Sequence, residues 1–394
     1  MYYFFEYIFQ HVIFCFIFNF FRSNSIRFLF FYKLFLAFLS FCLKGLQLLY
    51  FNVSLMQIVK NSKIYVAISA VFLIISIFLI FAGKLNLGID MTGGIQMDYN
   101  YSKNIDITAI QKDLKTESES FLNDGKQVIN NTSAYKITGE NTLSAVVGFY
   151  NDIDDKTLDT LKEDFRAKTL AIIKAQDDSA IEAKYVNIGK SFGDYIKDTA
   201  ILTLAIAIVA IAIYVTYAFS GVIGGISIWS FAVITIITLF HDVLISTGLY
   251  VGISSFFPEF KIDTFFVTAL LTILGYSIND TIVVFDRIRG NLKQFGGKTG
   301  KDAKNLEEIV DLSITETVTR SIYTSLTLAF VLITIFFFGP ETIKGFVLVM
   351  IFGTIVGTYS SIFIASPILY MVNKNKKLSV YKKVVIDPED KIVV

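Results

Sequence analysis

Residues 274–289 read LGYSINDTIVVFDRIR, an apolar stretch with one carboxylate, Asp280, near its middle and a second, Asp286, where the charged end DRIR begins. Upstream, from Thr264 to Asn279, there is no charge at all. About 20 apolar residues cross a bilayer as a helix, so the spacing predicts a membrane helix over about 264–286. A charged side chain at that depth costs at least about 2.5–3.5 kcal/mol, which makes Asp280 a functional-site hypothesis by default. Thr272, Tyr276 and Asp280 recur at i, i+4 and i+8, with Asn279 at their border, so one helix face is polar. Two readings stand for Asp280. It forms a structural hydrogen bond between helices, or it binds and releases a proton or cation. Burial raises a carboxylate pKa and a nearby cation lowers it, so a site balancing the two can load and unload.

The rest of the chain fits that membrane context. Of 394 residues, 54% are hydrophobic and only 18% charged, against about 25% in soluble proteins. Mean hydropathy is +0.60. The net charge of +1 gives no bulk basic field for nucleic acid. Apolar runs predict six membrane helices, at 64–83, 198–219, 222–250, 264–286, 316–339 and 344–372. Residues 1–55 stand apart, with 15 of the 39 Phe, both cysteines (Cys15 and Cys42) and one acid, Glu6. They read either as extra membrane-associated segments or as an upstream frame placed before a true start at Met56. No cysteine follows them, so the rest needs no thiol chemistry.

Residues 84–195 carry 13 Lys/Arg and 18 Asp/Glu and have no run long enough to span. Strands are expected at Gly94–Tyr101, Lys126–Ile137, Thr142–Phe149 and Ile181–Ile188, with a turn at Gly139-Glu140-Asn141. Helices are expected at Asp106–Leu122 and Asp154–Ala175. The order β-α-β-β-α-β is the ferredoxin-like pattern. The division is therefore a leader 1–55, a first membrane helix within 56–83, an α+β domain 84–195, a five-helix bundle 196–372 and a basic tail 373–394. Loop 287–313 holds six Lys/Arg and the tail holds six Lys, while 251–263 and 340–343 are nearly free of them. By the positive-inside rule both termini, counted from Met56, lie in the cytoplasm and the α+β domain lies outside.

Other polar groups fall inside predicted spans. His241 and Asp242 form a pair in the third helix, suited to a relay or to packing. Ser313 and Glu316 read as a capping box, followed by a stripe of Thr317, Arg320, Thr324 and Thr327. Arg320 either snorkels to the interface or pairs with a carboxylate across the bundle. Gly353, Gly357 and Ser361 form a small-residue packing seam. Enzyme readings fail: Gly297-Lys298-Thr299 lacks the first glycine of a P-loop, since position 292 is Leu292. An intramembrane aspartyl protease built on Asp242 and Asp280 lacks glycine-flanked aspartates. No cofactor or metal cluster is expected.

Five segments together resemble a known family: GIDMTGG (88–94), FHD (240–242), LGYSINDTIVVFDRIR, SITETVTRSIYTSLT (313–327) and GTYSSIFIASP (357–367). They are similar to the bacterial SecF family, Sec translocase accessory subunits of the resistance–nodulation–division superfamily. The likeness runs from about Met56 to Val372. The related SecD has an outer domain too large for 112 residues. The resemblance implies a six-helix half bundle in the bacterial inner membrane that pairs with SecD beside SecYEG. After SecA has acted, the pair promotes preprotein export with H⁺ or Na⁺ motive force. It implies that Asp280 is the essential membrane aspartate and Arg320 the arginine of the next helix. Gly88, Asp90, Gly93 and Gly94 become the motif at the base of the outer domain. Met91, Ile95 and Gly290 depart from the usual residues. The alternative is an efflux pump of the same superfamily, moving small molecules or lipids, but such pumps usually carry two halves in one chain.

Overall fold

The computed structural model describes residues 57–82, 85–123, 125–137, 141–150, 155–219, 225–257, 259–299 and 303–380. The Phe-rich stretch 1–55, the turn residues Gly139 and Glu140 and the tail beyond residue 380 lie outside them. Among the described residues six helices are long and apolar enough to cross a membrane. They are α1 (Ser62–Ala82), α5 (Lys190–Ala218), α6 (Ile228–Ser254), α7 (Thr264–Phe295), α8 (Leu306–Phe338) and a last span, Glu341–Asn373. The last one is composite: a 3₁₀ turn (Glu341–Ile343), α9 (Lys344–Ser360), a π turn (Ser361–Ala365) and α10 (Ser366–Asn373).

Helix α1 shows how the bilayer inverts ordinary packing. Its buried residues are Ser62, Ser69 and Ser76, while Ile64, Ile68, Phe72, Ile75 and Phe81 are exposed. Lipid is as apolar as leucine, so the interface goes to small residues that let backbones approach. A Cβ on Gly248 of α6 would lie 2.4 Å from Ser76 Cα. The same logic runs along α9. A Cβ on Gly353 would lie 2.2 Å from Ile273 of α7, and one on Gly357 3.0 Å from Ser277 Cβ.

Between α1 and α5 lies the α+β part: α2 (Ile89–Thr92), β1 (Gly94–Asn100), α3 (Ile107–Ser120), β2 (Leu122–Asn123), β3 (Lys126–Gln127), β4 (Ile129–Ile137), β5 (Thr142–Phe149), α4 (Asp155–Gln176) and β6 (Ile181–Ile188). The main sheet has the order β4-β5-β1-β6, with antiparallel neighbours. Ile95, Met97 and Tyr99 of β1 point to one face, with Ile110 and Leu114 of α3 and Phe165 and Ile173 of α4. Phe121 meets Phe165 edge-on at 5.3 Å. Asp106 caps α3 by accepting from the Thr108 and Ala109 amides. The free edge of β4 is sealed from the side: Gln111 of α3 donates to Thr132 O and accepts from the Ala134 amide.

Several boundaries move. The expected strand Lys126–Ile137 is two pieces, because Lys126–Gln127 pairs back on β2 before β4 begins. The capping box is Asn305 with Glu308, not Ser313 with Glu316. Helix α8 starts a full two turns earlier, and Ser313 is buried inside it, donating to Ile309 O at 2.6 Å. Helix α7 likewise runs on to Phe295, so most of the expected loop 287–313 is helix. Helix α6 starts at Ile228, not near 222. Helix α5 crosses the expected 195/196 boundary: it starts two residues after β6 ends. Tyr195 and Tyr217, 65% and 79% exposed on α5, stand 22 residues or about 33 Å apart, the thickness of a hydrocarbon core between aromatic belts.

The base of the α+β part is a glycine joint. Gly93 has φ +72° and its Cβ would lie 2.8 Å from Lys190 Cα; a Cβ on Gly193 of α5 would lie 2.7 Å from Gly93 N. Gly94 has φ +141° and its Cβ would lie 2.4 Å from Val147 O. Gly94→Ala combines a conformation closed to side chains with a backbone clash. It should cost about 2–4 kcal/mol, read as a drop in the thermal unfolding midpoint of the purified chain. An unchanged midpoint would contradict this geometry.

Candidate functional site

Helix α7 presents different chemistry on its two buried sides. Toward α6 and the last span it places Ser277 and Thr281. Ser277 Oγ donates to Asp242 Oδ2, and Ser360 Oγ donates to the same oxygen at 2.8 Å. His241 Nδ1 donates to Asp242 Oδ1 at 2.8 Å, which leaves Nε2 to accept from Ser69 Oγ of α1. Four helices therefore meet at one buried carboxylate. Thr281 Oγ1 pairs with Ser361 Oγ at 2.9 Å, at the first residue of the π turn. Such turns insert one residue into a helix and recur at functional sites.

Toward α8 the helix places Tyr276 and Asp280. Tyr276 donates to Ser325 Oγ at 2.8 Å, and Ser325 pairs with Thr358 Oγ1 at 2.5 Å. Asp280 is 3% exposed and faces the Ser321 and Ser325 hydroxyls, yet among the described residues neither its Oδ2 nor Ser321 Oγ completes a hydrogen bond. A buried acceptor left unmet is costly, about 1–3 kcal/mol or more when charged. A proton on Asp280 turns that acceptor into a donor.

The expected pairing of Asp280 with Arg320 is not formed. Among the described residues Arg320 has no ion pair within 4.0 Å, and it is exposed on α8. The reason is helical phase. Ser321 is the α8 residue that turns inward, so Arg320, about 100° around the axis, points outward. Arg320 still lies within electrostatic reach of Asp280. Asn279 is exposed for the same reason, one residue from Asp280. No hydrogen bond joins Asp280 to the His241–Asp242 group among the described residues. At the far end of α7, Arg287 pairs with Glu316 at 2.5 Å, and Asn291 Nδ2 donates to Glu316 at 2.8 Å.

The residues 88–94 tie the α+β part to the N-terminal end of α7. Gly88 N donates to Ile262 O at 2.8 Å, and Ile262 N donates to Asn86 O at 2.8 Å. A Cβ on Gly88 would lie 3.0 Å from Asp263 Cβ. Thr264, the first residue of α7, donates to Asp90 Oδ2 at 2.5 Å. The helix that carries Asp280 thus begins on this base motif.

A family model described as "Protein export membrane protein SecD/SecF, C-terminal" matches residues 168–375. The protein translocase subunit SecF of Sebaldella termitidis is 32% identical over 324 residues, covering 82% of this chain and 93% of that protein. The chain belongs to the SecF family. The SecF of Thermodesulfovibrio yellowstonii is 34% identical over 316 residues, covering 79% of this chain and 93% of its own. A solved SecDF, a translocon-associated membrane protein from Thermus thermophilus, matches 81% of this chain with TM-score 0.63 and 25% identity. This chain spans 38% of that longer one. As a SecF-family member the chain is a multi-pass membrane protein and a Sec translocase accessory subunit; the efflux reading is not favoured.

Sequence reasoning missed Ser277 and Ser360 as partners of Asp242, Ser69 as the partner of His241, and Ser321, Ser325 and Thr358 on the side of α7 that carries Tyr276 and Asp280. Serine passes unnoticed in an apolar window. A signal did exist for α1, where Ser62, Ser69 and Ser76 recur every seven residues.

Proposed function

We propose that this chain pairs with SecD beside the SecYEG channel in the inner membrane and uses an ion gradient to draw preproteins outward after SecA has pushed them. The α+β part (residues 84–195) is then a ferredoxin-like domain on the periplasmic side, with both termini, counted from Met56, in the cytoplasm. Asp280 is the coupling carboxylate. The observation that carries this reading is its buried, unmet oxygen in the middle of a membrane span. Protonation gives Asp280 a hydrogen to donate and removes a charge, so the faces of α7 and α8 gain a second packing; differential affinity of the ion for two packings is what does the work. The coupling ion is H⁺ or Na⁺, and no cofactor is required.

A SecD partner is supported by the outer surface of the bundle. Thr268, Thr272 and Asn279 on α7 and Arg320, Thr324 and Thr327 on α8 are exposed at membrane depth. Lipid does not satisfy such groups, whereas another helix bundle does. The test uses membrane vesicles from cells lacking their own SecD and SecF. This chain with its SecD should co-purify as a complex and should accelerate preprotein export only while a gradient stands. Collapse by a protonophore or by a sodium ionophore identifies the ion. A chain that purifies alone and leaves export unchanged would end this reading.

A further inference from the structure

The sheet of the α+β part has a second, polar face. Gln96 and Asp98 alternate with the core residues of β1. Ser144 donates to Asp98 Oδ1 at 2.6 Å and Gln96 Nε2 donates to it at 3.1 Å. Beneath this face lies a cavity of about 260 Å³, floored by the α6–α7 loop, the start of α7 and the 3₁₀ turn before α9. Lys261, from the α6–α7 loop, lines it. Its Nζ is buried, has no hydrogen-bond acceptor among the described residues and stands 5.1 Å from the centroid of the Tyr135 ring on β4. An ammonium carries three donors, and burying one with none of them met is expensive.

The groups around Lys261 attract it without binding it. Asp263 and Glu259 belong to its own loop, Asp90 to α2, Asp98 to β1, Lys136 and Tyr135 to β4, Lys184 to β6 and Tyr250 to α6. Glu341 and Lys344 on the last span are paired to each other at 2.5 Å. The three acids nearest in effect are engaged elsewhere: Asp98 as above, Asp90 by Thr264, and Asp263 Oδ1 by the Phe266 amide at 2.8 Å. Burial pushes the Lys261 ammonium down to about 7, against the pull of Asp263, Asp98 and Asp90. Burial pushes Asp263 up to about 6, with Asp90 adding to it against the Phe266 amide.

We propose that Lys261 is the positioning residue of a proton-responsive joint: neutral, it lets the α+β part seat on the α6–α7 loop, and charged, it drives the cavity to open and hydrate. The inference rests on the proposed role as an ion-driven export subunit, but not on Asp280. With the joint open, Lys261 is hydrated and returns toward the ordinary lysine value near 10.4. The open form then holds more protons than the seated form between about pH 7 and 10, so seating strengthens as pH rises through that window and weakens toward pH 7. Asp263 works in the opposite sense at lower pH, because the seated form takes up its proton below about 6. The joint therefore opens most readily between about pH 6 and 7.

The test measures a distance in the full chain, held with SecD in lipid nanodiscs. Spin labels are placed on cysteines substituted at the exposed Lys112 and Phe256, with Cys15 and Cys42 changed to serine. As pH falls from 9 to 7 the wild-type ratio of long to short distances should rise, by up to tenfold per pH unit for one proton. Lys261→Met should stay at the short distance throughout. Lys261→Arg should stay long throughout, because guanidinium keeps its charge. The profile should survive in Asp280→Asn. A flat wild-type profile, a wild-type profile in Lys261→Met, or a profile abolished by Asp280→Asn would each overturn the joint. Failure of the Asp280 reading itself shows separately, as gradient-driven export that Asp280→Asn leaves intact.

Discussion

Asp280→Asn is expected to abolish the gradient-driven part of preprotein export while leaving the protein folded and in complex with SecD. The substitution keeps the size of the side chain and removes only its titration. An amide meets the unpartnered position of Oδ2 without a buried charge, so the thermal midpoint should hold or rise. What disappears is the ion's differential affinity. One charge moved across 100 mV is worth about 2.3 kcal/mol, a bias of about 50-fold between two packings of the bundle. Without a titrating group that bias falls to none. Export measured against an imposed gradient should therefore be flat for Asp280→Asn, at the rate of vesicles lacking this chain. A gradient response equal to wild type would remove Asp280 from the coupling.

Asp242→Ala is expected to have the larger effect on stability. Asp242 is fully buried and takes hydrogen bonds from His241, Ser277 and Ser360. Deleting it leaves three buried donors unmet, and the loss should reach about 3–5 kcal/mol. The chain should unfold at markedly lower temperature in detergent and be depleted from membranes. Asp242→Asn should lose only about 1–2 kcal/mol, because the hydroxyls of Ser277 and Ser360 can turn and accept from an amide. An Asp242→Ala chain as stable as wild type would show that the web does not hold the helices together.

What the sequence disclosed follows from how expensive each residue is in lipid. Asp280 was legible because a lone carboxylate in an apolar span has no ordinary excuse. The six spans and the order of strands in the α+β part were legible because 20-residue apolar runs and alternating strands are periodic signals. The hydroxyl partners were not, because serine costs little in either environment. The direction of Arg320 was hidden because a polar stripe shows that residues share a face but not which way that face turns. Helix ends were misjudged where α7 and α8 project past the hydrocarbon core. There the residues become polar while the helix continues, so Ser313 read as a cap two turns too late. Lys261 was invisible as well. In the sequence it is a single lysine in a short loop, and only the sheet above it makes its position unusual.

The two-residue step from β6 into α5 has a mechanical consequence. A long helix rooted at one end in a folded part behaves as a stiff rod, and α5 runs for 29 residues, about 44 Å. Its root is held by the contact of Gly193 with Gly93, backbone against backbone with no side chain between, which resists sliding but leaves rotation open. Most of its length faces outward, so little packing opposes a tilt. Pivoted at its root, a lean of about 10° would sweep the far end through about 8 Å over such a length. By the same ratio, a small shift among the helix ends far from the α+β part would turn that part by an angle a purely local rearrangement would not reach. The glycine pair is thus a fulcrum, and its smallness is what lets it turn.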